Sequence, residues 1–177
     1  VHDDFSFRAE FNPQGRLFAP ELGGGALLDA GIYPVSMASM ILGTPTEVTG
    51  YAHLGETGVD EQAAIVQRYA GGQLALLATA TRTAGPQQVI IRGTTGYITI
   101  NNWLRGTQMT ISRPGQPDEL IEEPLVGNGY NYEAAEVMRC LRAGELESPI
   151  MPLDETLTLM QTLDRIRAPW GLRYPTE

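Results

Sequence analysis

Asp29 and Tyr33 stand four residues apart in the stretch GGGALLDAGIYP, residues 23–34, directly after three consecutive glycines. On a helix that spacing puts both side chains on one face, within reach of a common small molecule. A carboxylate beside a phenol suits proton transfer, one group moving the proton and the other orienting it. The same residues also suit a scaffold: an acid in a first helical turn is favoured by the helix dipole, and a half-buried tyrosine finds a partner for its hydroxyl. On spacing alone the scaffold reading is preferred. A tyrosine with a reference pKa of about 10 needs a neighbouring cation to act as a base near neutrality. That cation is not a lysine of this chain, because all 12 basic residues are arginine.

The glycines themselves do not complete a dinucleotide fingerprint. That motif requires G-x-G-x-x-G between a strand and a helix, whereas Gly23-x-Gly25-x-x leads to Leu28 and the preceding RLFAPEL contains Pro20. Two uses remain for them: close backbone approach to a flat ligand or neighbouring helix, with free amides favouring negative charge, or a simple turn. His2 and His53 are far apart and neither shares a metal-ligand spacing with Cys140, so no metal site is expected. The acids of GETGVDE, Glu56, Asp60 and Glu61, lack the alternating oxygens of a calcium loop and read as a hairpin turn. Trp103 in NNWLRG and Tyr130 in GNGYNYE sit in loops at strand ends, where an aromatic ring either stacks on a ligand or lids the core.

The elements that must carry these residues follow from periodicity. An opening strand, DDFSFRAEF, alternates Phe5, Phe7, Ala9 and Phe11, and the breaker-rich NPQGRLFAPEL delivers the chain to the glycines. Residues 26–42 are apolar at helical spacing and stop at Gly43, with a bend expected at Pro34 because it has no amide to give the carbonyl of Ala30. The period then changes to two, and seven strands are predicted over 46–54, 62–70, 73–83, 87–93, 97–101, 107–113 and 119–123. Helices return over 130–143 and 153–168. The expected fold class is α+β: an open, mainly antiparallel sheet with helices packed on one face. Strand alternations that are apolar on both sides point to self-association through the free sheet face.

A length of 177 residues suits one domain, and a net charge of -9 argues against nucleic acid. No apolar run approaches bilayer-crossing length and no signal peptide is evident, so neither a membrane nor export is expected. With one cysteine there is no intrachain disulfide, which fits a reducing cytoplasm. Val1 opens directly into a strand, as though the chain began within a longer protein.

Four ordered blocks, GRLFAPELGGGALLDAGIYPVSMASMILG, ETGVDE, RGTTGYITI and the stretch from GNGYNYE to GLRYP, together resemble the C-terminal domain of the glucose-fructose oxidoreductase and inositol dehydrogenase family (Gfo/Idh/MocA). Within it the chain is most similar to the branch of dimeric dihydrodiol and D-xylose dehydrogenases, which carry tyrosine in the D-x-G-x-[HY] motif; DAGIY supplies that variant. The resemblance implies a glyceraldehyde-3-phosphate-dehydrogenase-like C-terminal domain that binds substrate and dimerises. It also implies an N-terminal Rossmann domain, absent from this chain, that holds NAD or NADP and supplies a catalytic lysine through an E-K-P motif. Asp29 and Tyr33 match the catalytic positions, with the missing lysine lowering the tyrosine's pKa. Trp103, Arg16 and Asn131 would contact a sugar, polyol or diol substrate, and Gly24 and Gly25 would lie near the cofactor. The 177 residues alone are then expected to be inert, and a non-catalytic assembly or binding module is the alternative.

Overall fold

The computed structural model describes residues 1–175 and 177. Eight strands form one sheet: β1 (His2–Ser6), β2 (Glu47–Leu54), β3 (Asp60–Arg68), β4 (Leu74–Ala80), β5 (Gln88–Arg92), β6 (Tyr97–Asn101), β7 (Gln108–Ser112) and β8 (Glu119–Glu122). Their order is β2-β3-β4-β1-β5-β6-β7-β8. Every neighbouring pair is antiparallel except β1 and β4, which run parallel. The expected α+β class with a mainly antiparallel sheet is therefore what forms. The opening strand is shorter than its alternation suggested, ending at Ser6, although the amides of Phe7 and Ala9 still donate to the carbonyls of Ala80 and Thr81.

Three helices follow the glycines and the strands: α1 (Ile32–Leu42), α2 (Tyr130–Ala143) and α3 (Leu153–Arg167). Helices α1 and α3 cover one face of the sheet. Leu27, Val35 and Ala38 from the α1 side and Leu159, Leu163 and Ile166 from α3 meet the inward rows of β3 and β4, Ala63, Ile65, Ala75 and Leu77. Burial of such aliphatic side chains supplies about 1.5–3 kcal/mol each. Only Cys140 of α2 is buried. The uncovered face presents Tyr51, Leu74, Leu76, Tyr97 and Leu120 to solvent.

Two features of the first helix refine the sequence reading. Pro34 falls in the first turn of α1, where a missing amide costs little. The irregularity lies one turn earlier, as a π-helical turn over Leu27–Gly31. Together with a 3-10 turn at Pro20–Leu22 this makes a helical run, Pro20–Leu42, of 23 residues whose most apolar window has a mean hydropathy of 1.4. By length and composition that run does reach bilayer-crossing size, contrary to the reading of the sequence. In this fold its apolar side chains Leu27, Val35 and Ala38 are spent on the sheet.

Candidate active site

The π-turn and the start of α1 carry the two residues singled out first. Asp29 lies within the π-turn and Tyr33 near the start of α1, so the widened turn, rather than a regular α-helix, sets the angle between them. No hydrogen bond joins their side chains. Asp29 instead forms an ion pair with Arg16 from the preceding loop, which unites two of the expected site residues. The Arg16 side chain is 70 % exposed and that of Asp29 only 17 %, so the acid is sheltered while its partner reaches it from solvent. π-Helical turns of this kind recur at functional sites.

Tyr33 is 46 % exposed. Its ring packs edge-on against Phe5 of β1 at 5.2 Å, and Phe5 in turn meets Trp103 at 6.4 Å. The indole N–H of Trp103 donates to the carbonyl of Asp4 at 3.1 Å, which fixes the ring over the end of β1. Tyr33 and Trp103 both line a cleft of about 550 Å³ between α1 and the segment leading into α3. Met37, Met40, Ile150, Met151 and Leu159 make most of its wall apolar, and Ser36, Ser39 and Glu155 supply polar groups. The Ser39 hydroxyl donates to Glu155 at 2.6 Å. Asn131, at the exposed start of α2, does not line this cleft, and neither does Tyr130, which is 71 % exposed.

The glycines serve neither as a flexible turn nor as a source of free amides. Gly23, Gly24 and Gly25 donate their amides to the carbonyls of Pro20, Ala19 and Leu17, at 3.0–3.1 Å. Gly24 and Gly25 are buried. A Cβ on Gly24 would lie 3.0 Å from the backbone of Ala19, and one on Gly25 would lie 2.3 Å from Oδ1 of Asp60. The close approach anticipated for these residues is thus to their own chain.

Asp60 is the residue that reading the sequence misplaced. It is not part of the hairpin turn but the first residue of β3, fully buried, with Oδ2 accepting the Leu27 amide at 2.6 Å. Burial raises its pKa to about 6, against the partly compensating hydrogen bond from Leu27. Strict alternation would put Asp60 on the outer face with Gln62 and Ala64. A bulge opposite His53 and Leu54, which pair with Gln62 and Asp60 and skip Glu61, turns it inward. The available signal was an acid placed just after a hairpin turn at the head of an apolar strand, but its partner is 33 residues away in sequence.

These residues do not make a dinucleotide cradle. The three glycine amides are already bonded within the chain, and among the described residues no glycine-rich strand-turn-helix replaces them. What this region offers is a half-exposed phenol on a mostly apolar cleft that an indole also lines, and, outside that cleft, a carboxylate paired with Arg16.

Comparison with known proteins gives this arrangement a context. The model of the GFO/IDH/MocA C-terminal domain matches residues 1–99. Trans-1,2-dihydrobenzene-1,2-diol dehydrogenase of Xenopus laevis is 34 % identical over 95 % of this chain and 54 % of its own length. The human protein of that name is 30 % identical over 87 % of this chain and 48 % of its own. The chain thus spans about half the length of the curated relatives it matches. Among solved structures, a 3-ketoreductase from Actinomadura kijaniata in complex with NADP and TDP-benzene superposes with a TM-score of 0.81 at 22 % identity, over 94 % of this chain and 52 % of that one. An aldose-aldose oxidoreductase from Caulobacter crescentus, complexed with glycerol, gives 0.79 at 20 % identity over 98 % of this chain and 54 % of that one. At that identity the two structures speak for the fold.

Proposed function

From the premise that this chain belongs to the GFO/IDH/MocA family through its C-terminal domain, we propose that it is the substrate-binding half of an NAD(P)-dependent oxidoreductase acting on a sugar, polyol or trans-diol. The cofactor and a catalytic lysine would come from a companion Rossmann domain, since the residues described here cannot cradle a dinucleotide. The observation that carries the reading is Tyr33, half-exposed on the cleft and packed against Phe5, with Trp103 on the same Phe5 ring and lining the same cleft. A nicotinamide held by the companion domain would supply the hydride acceptor for a carbinol carbon of the substrate. The hydroxyl proton lost at the same time needs an acceptor, and the reading assigns that role to Tyr33 Oη. Asp29, sheltered and paired with Arg16, would orient the incoming hydroxyl or the lysine. Trp103 supplies an apolar face against which a substrate ring stacks.

The cleft wall favours the trans-diol end of that range. Met37, Met40, Ile150, Met151 and Leu159 offer few hydrogen-bond partners to a fully hydroxylated sugar, but suit an apolar ring with two vicinal hydroxyls. The exposed apolar row on the outer sheet face, Tyr51, Leu74, Leu76, Tyr97 and Leu120, supports association of two copies.

The test is turnover in a protein that joins this domain to its cofactor-binding domain. Tyr33→Phe is expected to lower kcat by about 100-fold or more, the usual range for a lost acid–base group, with KM changed little. The trans-diol should outperform open-chain polyols in kcat/KM. Near-normal turnover of Tyr33→Phe would refute the assignment.

A further inference from the structure

The helix start that presents Asp29 and Tyr33 has no cap of its own. The residue before the π-turn, Ala26, has no side chain able to accept an amide. The acceptor arrives instead from β3: Oδ2 of buried Asp60 takes the Leu27 N–H at 2.6 Å. Its other oxygen, Oδ1, has no hydrogen-bond partner and packs against the backbone of Gly25, so closely that no Cβ fits between. Two further elements grip the same turn. The Tyr174 hydroxyl, from the C-terminal segment, donates to the carbonyl of Gly24 at 2.7 Å, and Thr79 Oγ1 of β4 reaches the carbonyl of Ala26 at 3.4 Å.

We infer that Asp60 is a positioning residue for the active site: by holding the Leu27 amide it fixes the rotation of the π-turn, and with it the directions in which Asp29 and Tyr33 project. A helix is a rigid element whose side-chain directions are set once its first amide is anchored. Rotation by part of a turn at Leu27 would swing Tyr33, six residues on, out of the cleft. A buried carboxylate with one orphaned oxygen is costly, and an apolar residue would pack a core wall at lower cost. The charge is offset here by the positive end of the helix dipole and by the Leu27 amide. Arg167 of α3 and the Tyr174 hydroxyl are the titratable groups that face Asp60; β4 contributes the neutral Thr79.

This inference rests on the assignment of Asp29 and Tyr33 to the reaction, and its test separates the two. Amide hydrogen exchange is measured in Asp60→Asn and Asp60→Ala, comparing residues 27–33 with residues 153–167 of α3 in the same sample. Local anchoring predicts at least a tenfold rise in exchange over 27–33 in both variants, with α3 unchanged. In the wild type, the Leu27 amide proton resonance should titrate with a midpoint near 6, and Asp60→Asn should abolish that titration. Equal loss of protection in both segments, or no change in either, overturns the inference. In the protein joined to its cofactor-binding domain, Asp60→Asn should lower kcat at least tenfold with KM within about twofold. A local rise in exchange with unchanged kcat also overturns it, provided that Tyr33→Phe is impaired. If Tyr33→Phe is itself unimpaired, the assignment of the site has failed, and the anchoring of the turn by Asp60 is still decided by the exchange data.

Discussion

Asp3 should make this fold less stable as the pH rises, and replacing it should remove the effect. It lies in β1, fully buried, between Leu77 of β4 and Val89 of β5, and neither carboxyl oxygen has a hydrogen-bond partner. Burial, with a smaller contribution from the charge of adjacent Asp4, raises its pKa from 3.8 to about 8. The folded state therefore keeps a proton that the unfolded chain releases near pH 4. The contribution to stability is intact below that pH and is lost progressively as the pH climbs towards 8. At about 1.4 kcal/mol per pH unit, the loss amounts to roughly 4 kcal/mol at pH 7. Asp3→Asn retains the shape and the unpaired polar atoms but cannot ionise. The variant should match the wild type at pH 4, exceed it by roughly 4 kcal/mol at pH 7 and level off above pH 8. Urea unfolding followed by tryptophan fluorescence at pH 4, 5, 6, 7 and 8 gives the comparison. A difference that does not change with pH, or a variant less stable at pH 7, would refute the assignment of a neutral buried acid.

Gly25→Ala would place a methyl group 2.3 Å from Asp60 Oδ1 at a φ of +126°, so a loss of about 2–4 kcal/mol is expected in thermal unfolding. Gly23→Ala, where nothing lies within 4 Å, should cost only the strain of φ +69° and so lose less. Leu76→Asp, on the outer sheet face, should leave the secondary structure intact while shifting the association equilibrium to monomer in light scattering; a wild type that is monomeric at every concentration would remove the dimer from the proposal.

Much of the architecture was legible because it is written locally. The strand alternations of 46–54 and 97–101, the helical period of 130–143 and the stop at Gly144 all reappear in β2, β6 and α2. What escaped depends on contacts distant in sequence or on small shifts of register. β1 stops at Ser6 although its alternation runs on to Phe11, since beyond it only the amides of Phe7 and Ala9 find acceptors, at Ala80 and Thr81, and the ladder is not continued. The π-turn has no composition signature, and its distortion falls before Pro34 rather than at it. Asp29, Tyr33, Arg16 and Trp103, which the structure brings into one ion pair and one cleft wall, were singled out as candidates from the motif and its surroundings. Asp60 was not, because one extra residue in a bulge reverses the face that alternation would give it.

The parallel seam between β1 and β4, the only one among the described residues, also determines how the sheet can be assembled. β2, β3 and β4 can form a ribbon by themselves, as can β5 through β8, each from successive antiparallel neighbours. The five residues His2–Ser6 form the keystone between the two ribbons, all of them paired with β4 along one edge and His2 and Asp3 paired with β5 along the other. Closing both edges of this keystone requires contacts across roughly 90 residues of chain, so the slot between the two ribbons forms late, and a short peptide with the sequence of the keystone is expected to compete for it.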